Sequence, residues 1–258
     1  MTRTCTLLSL MLAVYLLAHR LGGGDLLRYA AVAAGCVLPY AISRADRTVP
    51  KGQITFQPAP MRPYLYLLPL FVCVIFGLSA LTALLVRPAP VSGSFWKLLF
   101  TSALLPALGE EFFFRYLLLR MLEPYSQTGA VLLSSLFFAL VHTPAAMPYA
   151  FVAGLLLATL TLASGTVLTA MLFHFCNNTA SLLLSAARDL AVFPYLVGGL
   201  CLLGCVSLLW AVGSRQRPGR KKLRQVWRRD PRTGAALRAA AASPLSLVAV
   251  WLLTDAIW

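Results

Sequence analysis

Apolar residues run along this chain in long unbroken stretches. They form neither the one-sided stripe of a soluble helix nor the alternation of a half-buried strand. The stretches cover roughly 5–18, 26–43, 64–86, 95–122, 128–142, 146–163, 165–187 and 193–212, with a shorter terminal piece at 243–258 that carries Asp255. A helix needs about 20 mostly apolar residues to cross a hydrocarbon core. The pattern therefore predicts an all-α, polytopic membrane helix bundle of about eight transmembrane helices plus a marginal C-terminal apolar segment. A membrane β-barrel is not expected, because its strands alternate apolar and polar positions over about ten residues and these runs are continuous. Pro144 ends the fifth stretch at His142, since the residue before a proline is pushed out of helical geometry.

Charge placement sets an orientation. The chain has 22 Lys and Arg against 8 Asp and Glu, a formal charge of +14, and only 12% of its residues are charged. Nine of the basic residues lie within 215–232. Arg44, Arg47, Lys51 and Arg62 follow the second stretch, whereas Arg20, Arg28, Arg87, Lys97 and Arg188 are scattered after odd-numbered ones. The positive-inside rule then gives an integral protein of the cell (inner) membrane with a cytoplasmic N-terminus. The segment 215–232 reads as a partner for anionic lipid headgroups. No aromatic reading surface accompanies it, so nucleic acid is not an expected partner. The first stretch lacks a convincing cleavage site before His19 and Arg20 and reads as a retained helix. The six cysteines lie in apolar runs without CxxC spacing and read as packing residues, not a disulfide framework. No internal repeat is visible.

The polar exceptions carry the chemistry. The chain has three glutamates, and Glu110 and Glu111 sit side by side in LLPALGEEFFFRYLLLRML. Two of its three histidines, His142 and His174, also fall in apolar runs. An ionisable group at membrane depth costs about 2.5–3.5 kcal/mol even on the lenient insertion scale. Glu111 and Arg115 are four apart, with the acid first, and can pair on one helix face. Glu110 is five from Arg115 and is left without a local cation. Two adjacent buried carboxylates resist joint ionisation, which suits a general acid or base. A purely structural salt bridge explains Glu111 and Arg115 but not Glu110. His142 shares a helix face with Phe138. His174 and Asn178 share another, bordered by Asn177, and taken alone would serve as interhelical hydrogen-bond glue. Together these groups could activate a water and stabilise an oxyanion, or Glu110, His142 and His174 could ligate zinc. No HExxH is present.

Glu110-Glu111…Arg115, Phe138…His142 and His174…Asn178, in this order on successive apolar helices, resemble the EExxxR, FxxxH and HxxxN motifs of the CPBP family of intramembrane proteases. That family includes CAAX-type prenyl endoproteases and bacteriocin-processing relatives. The resemblance covers roughly 95–187 and divides one membrane domain into N-terminal helices and loops (1–94), a catalytic core (95–187) and a C-terminal helix, basic loop and terminal segment (188–258). It implies an endopeptidase acting near the membrane surface on a membrane-anchored, lipidated or tail-bearing protein. By analogy Glu110 and His142 activate water, His174 and Asn178 hold the oxyanion, Glu111 with Arg115 orients the site, and Phe138 and Asn177 shape the substrate pocket. The family's chemistry is described both as zinc-dependent and as glutamate-based without metal, and either cofactor state is compatible with these residues. The rival readings are a non-catalytic member of the same fold, serving immunity or assembly, and a proton-coupled transporter. The first predicts decay of the polar set and the second a repeated half, and the sequence has neither.

Overall fold

In the computed structural model, helix follows helix. The structure describes residues 1–20, 25–47, 49–83, 93–213 and 219–257. The loop charges Arg87, Arg215 and Arg217 lie outside the described residues, and so do the side chains of His19, Arg20, Arg28 and Asp255. In chain order the elements are α1 (Thr2–Arg20), α2 (Asp25–Ala45), α3 (Ala59–Ala83, opening as a 3-10 turn), a helical stretch α4 over 95–122, α5 (Gln127–Leu140), α6 (Met147–Ser164), α7 (Val167–Ala186), α8 (Phe193–Gly213), α9 (Arg220–Val226), α10 (Thr233–Ala241) and α11 (Pro244–Ile257). The fold is an all-α bundle. Among the described residues, α3, α6, α7 and α8 are long and apolar enough to cross a membrane, and α10 with α11 makes a fifth candidate bent by 69°. Two other stretches fall short for physical reasons. At 14 residues, α5 is about 21 Å long, against a core of about 30 Å. The stretch α4 carries the acids and arginine that lower its mean hydropathy.

Polar residues set the boundaries. Ser94, Ser126 and Thr166 precede α4, α5 and α7, and each side-chain oxygen accepts from a backbone N–H of the first turn. Gly165 ends α6 at φ 74°, the left-handed conformation that glycine adopts without strain. The loop before α3 is tied down on the same end of the bundle. Gly52 N–H donates to the Arg120 carbonyl at 2.7 Å and Arg120 Nε returns a bond to the Gly52 carbonyl at 2.8 Å. Thr55 forms a parallel bridge with Thr166. The ends of α4 and α6 and the starts of α5 and α7 therefore share one face of the bundle.

Residues 220–226 correct the sequence reading, which takes the whole of 215–232 for a loop. Lys, Arg, Leu and Gln are good helix formers, and α9 places Val226 inward at 3% exposure against α6. Thr128 Oγ1 donates to the Val226 carbonyl at 3.0 Å, and Trp227 Nε1 donates to Thr159 Oγ1 at 3.1 Å. The alanine-rich α10 was also not expected, because the apolar pattern alone begins at 243.

The hairpin of α5 and α6 positions one histidine. On α6, Ala150, Gly154 and Ala158 are buried at four-residue intervals, the small-xxx-small pattern that lets helix backbones approach closely. A Cβ at Gly154 would lie 3.0 Å from the Cα and Cβ of Ser135. Gly154→Leu is therefore expected to cost about 1–3 kcal/mol by overpacking. Unfolding in detergent checks this, and an unchanged midpoint would contradict the close approach.

Candidate active site

The site is built from three helices. The backbone of α4 is not uniform: α-helical Phe95–Leu98, Leu105–Glu111 and Arg120–Leu122 alternate with the wider π-helical turns Leu99–Leu104 and Phe112–Leu119. Leu105 N–H thus reaches back five residues, to the Phe100 carbonyl. Such turns insert a residue and rotate everything beyond it, and they concentrate at functional sites. Glu110 and Glu111 sit between the two.

Glu111 and Arg115 are both fully buried, and Arg115 Nε lies 3.1 Å from Glu111 Oε2. The contact is an ion pair whose geometry falls short of a hydrogen bond. The other carboxylate oxygen, Oε1, is 2.8 Å from His174 Nδ1. Glu111 therefore bridges α4 to α7 and carries a cation on one side and an imidazole on the other. Phe138, 2% exposed, lies beneath. Its ring centroid is 4.6 Å from the Arg115 guanidinium carbon, 4.8 Å from the His142 ring and 5.9 Å from the His174 ring. The guanidinium stacks on the negative face of the aromatic ring, a favourable contact when desolvated. Phe138 is thus a buried platform joining Arg115 to both imidazoles.

Glu110 takes a different environment. Its Oε2 is buried and has no hydrogen-bond partner among the described residues, and His142 Nε2 is 4.0 Å away. The two side chains are 19% and 26% exposed, more open than the Glu111 pair. His142 sits in the turn just past α5, which ends at Leu140. Its Nδ1 lies 2.6 Å from the Phe138 carbonyl. A carbonyl only accepts, so Nδ1 carries the proton in that bond, and a neutral ring then turns an unprotonated Nε2 toward Glu110.

On α7, Asn178 lies one turn beyond His174. Its Nδ2 donates to the Ser102 carbonyl at 3.3 Å, and Asn177 Nδ2 donates to Asn178 Oδ1 at 3.3 Å. Ser102 was not legible as part of the site. The signal lay in Pro106, four residues on, which lacks the N–H that an α-helix would direct at that carbonyl. Asn177 Oδ1 is buried without a partner among the described residues. Ser134 and Ser135 both donate back to the Val131 carbonyl and stay out of the site.

The zinc alternative fits this arrangement poorly. Among the described residues no three His, Cys, Asp or Glu side chains converge as a metal site. The Nδ1 of His174 is engaged by Glu111, while Glu110 Oε2 lies 4.0 Å from His142 Nε2. The residues present do not make a three-ligand site, and no step is derived through a metal.

A buried, charge-paired glutamate and histidine, with a more open glutamate and histidine beside them, form a polar centre inside a bundle with membrane-length helices. Residues 92–180, about a third of the chain, match the family model of the Type II CAAX prenyl endopeptidase Rce1-like proteins. No curated protein and no solved structure matches the chain.

Proposed function

We propose that this protein is an intramembrane endopeptidase in which Glu110 and His142 activate the attacking water. The observation that carries this is that Glu110 Oε2 and His142 Nε2 face each other across 4.0 Å. One water about 2.8 Å from each could donate to both, because that spacing subtends an angle close to that of H–O–H. Glu110 takes a proton from the water as its oxygen adds to the scissile carbonyl carbon. The carbonyl oxygen becomes an oxyanion, and Asn178 Nδ2 and a doubly protonated His174 would supply its donors. Charge balance favours that protonation state: Arg115 and the imidazolium offset Glu110 and Glu111. Collapse of the tetrahedral species breaks the C–N bond, and the proton held by Glu110 passes to the leaving amine. Glu111 and Arg115 act as positioning residues through His174 and Phe138, and Asn177 borders the substrate pocket.

The same reading extends to the surroundings. The chain spans the cell membrane about eight times, with a cytoplasmic N-terminus and its basic segment at the anionic inner leaflet. The core 95–187 lies between the N-terminal helices of 1–94 and the C-terminal region 188–258. Support comes from the shared face on which Gly52, Arg120, Thr128 and Val226 meet. The substrate is a membrane-anchored, lipidated or hydrophobic-tailed protein cut near the membrane surface.

The test is direct. Purified protein in proteoliposomes is given lipidated and hydrophobic-tailed peptides, and products are read by mass spectrometry. We expect endoproteolytic fragments from one class, and Asn178→Ala is expected to lower kcat about 10²-fold. No product from any class, or full kcat in Asn178→Ala, would count against the mechanism.

A further inference from the structure

The basic segment encloses a cavity that the hydrolytic centre does not use. Its volume is about 380 Å³, and it lies where the turn after α4 and the start of α5 meet the chain following α9. Gln127 and Thr128 form one wall, and Arg228 and Arg229 the other. Through Gln225 and Arg228 it shares lining with a second groove of about 270 Å³, bounded by Arg220, Lys221 and Arg224. Across both compartments six basic side chains face two acidic ones, Glu123 and Asp230. Asp230 is already paired with Arg232, Nε to Oδ1 at 3.3 Å. The cleft is therefore cationic on balance, while at its inner end the Gln127 amide lies beside the Glu123 carboxylate and the Thr128 hydroxyl proton is already given to the Val226 carbonyl.

Its depth follows from its anchors. Trp227, 45% exposed, donates Nε1 to Thr159. Thr159 is five residues before the end of α6, so the anchor lies about 8 Å beneath that helix end. A half-exposed tryptophan beside arginines is the composition of the headgroup level of a membrane. The walls are also rigidly joined to the catalytic helix, because Gly52, at the cavity, exchanges two hydrogen bonds with Arg120 of α4, one to its carbonyl and one from its Nε.

We infer that this cleft is a discrete binding site for the headgroup of one anionic phospholipid, with its phosphate at Arg224 and Arg228 and its polar alcohol portion toward Gln127, Thr128 and Gln225. This deepens the general attraction of the basic segment to an anionic leaflet. It rests on that placement and not on peptide hydrolysis. Smeared surface attraction grows with each basic residue and is not selective for one bound molecule. A walled cleft with arginines at one end and oxygen acceptors for alcohol hydroxyls (Thr128 and Glu123) at the other holds a defined stoichiometry.

The experiment uses the full chain carrying Glu110→Gln, so that lipid binding and proteolysis fail or succeed separately. The protein is purified in detergent and offered phosphatidylglycerol or phosphatidylcholine, and retained lipid is counted by native mass spectrometry. One phosphatidylglycerol per chain is expected, with at least 10-fold weaker retention of phosphatidylcholine. Replacing Arg224, Arg228 and Arg229 by glutamine together should lower phosphatidylglycerol retention at least 10-fold. Replacing Arg44, Arg62 and Arg188, which lie outside the cleft, should not. If the cleft variant fails to fold, Arg228→Glu alone must produce the same loss. Equal retention of both lipids, or equal loss in the two triple variants, overturns the site. So does displacement of the lipid by millimolar inorganic phosphate, which would assign the cleft to the free anion.

Discussion

Glu110→Gln is expected to lower cleavage about 10³-fold while leaving insertion, folding and substrate binding as they are. The size is that of a removed general base, about 10²–10⁴. The reason for the clean separation is geometric. Glu110 has no salt bridge to break among the described residues other than its distant approach to His142, and its Oε2 has no hydrogen-bond partner. Glutamine keeps the volume and one oxygen but cannot take a proton from water. Single-turnover cleavage in proteoliposomes reads the rate, and thermal unfolding in detergent reads the fold. Wild-type turnover in this variant would refute the assignment of Glu110. A parallel fall in stability would instead mean that Glu110 holds the bundle together. Glu111→Gln should behave differently, because that carboxylate contacts both Arg115 and His174. Its loss is expected to lower stability and rate together.

How much of this was legible in sequence depends on the kind of signal. The helices of the core were legible because each apolar run is bounded by a capping residue or a proline. The expected 146–163 and 165–187 lie within two residues of Met147–Ser164 and Val167–Ala186. The Glu111–Arg115 contact was legible because four residues on a helix is a distance in space. Contacts between helices were not. Nothing in the spacing says that His174 Nδ1 meets Glu111, or that Phe138 lies under Arg115. Those depend on how α4 is rotated, and its two π turns change that rotation without a mark in the hydrophobic pattern. The basic segment was misread for a related reason. A seven-residue helix with two apolar positions has no visible period, and α9 is held by tertiary contacts through Val226 and Trp227.

Arg115→Met carries the largest expected effect on stability. Both members of the Arg115–Glu111 pair are fully buried, so removing the cation leaves a carboxylate in an apolar interior with only His174 to answer it. Breaking a buried pair by deleting one partner costs about 3–5 kcal/mol, whereas replacing both partners by apolar groups is often neutral. The double variant Glu111→Leu/Arg115→Met should therefore recover most of the stability that Arg115→Met loses. It should not recover activity, because His174 then has no carboxylate to hold its Nδ1. Arg115→Lys is expected to fail as well. An ammonium can meet Glu111, but it is not the planar group that stacks 4.6 Å above the Phe138 ring. A double-mutant cycle by unfolding in detergent, paired with single-turnover cleavage, separates the two roles. Strict additivity of the two substitutions would mean that the pair is not coupled. Recovered cleavage in the apolar double variant would mean that His174 needs no anchor, and the division between an orienting glutamate and a proton-accepting one would be lost.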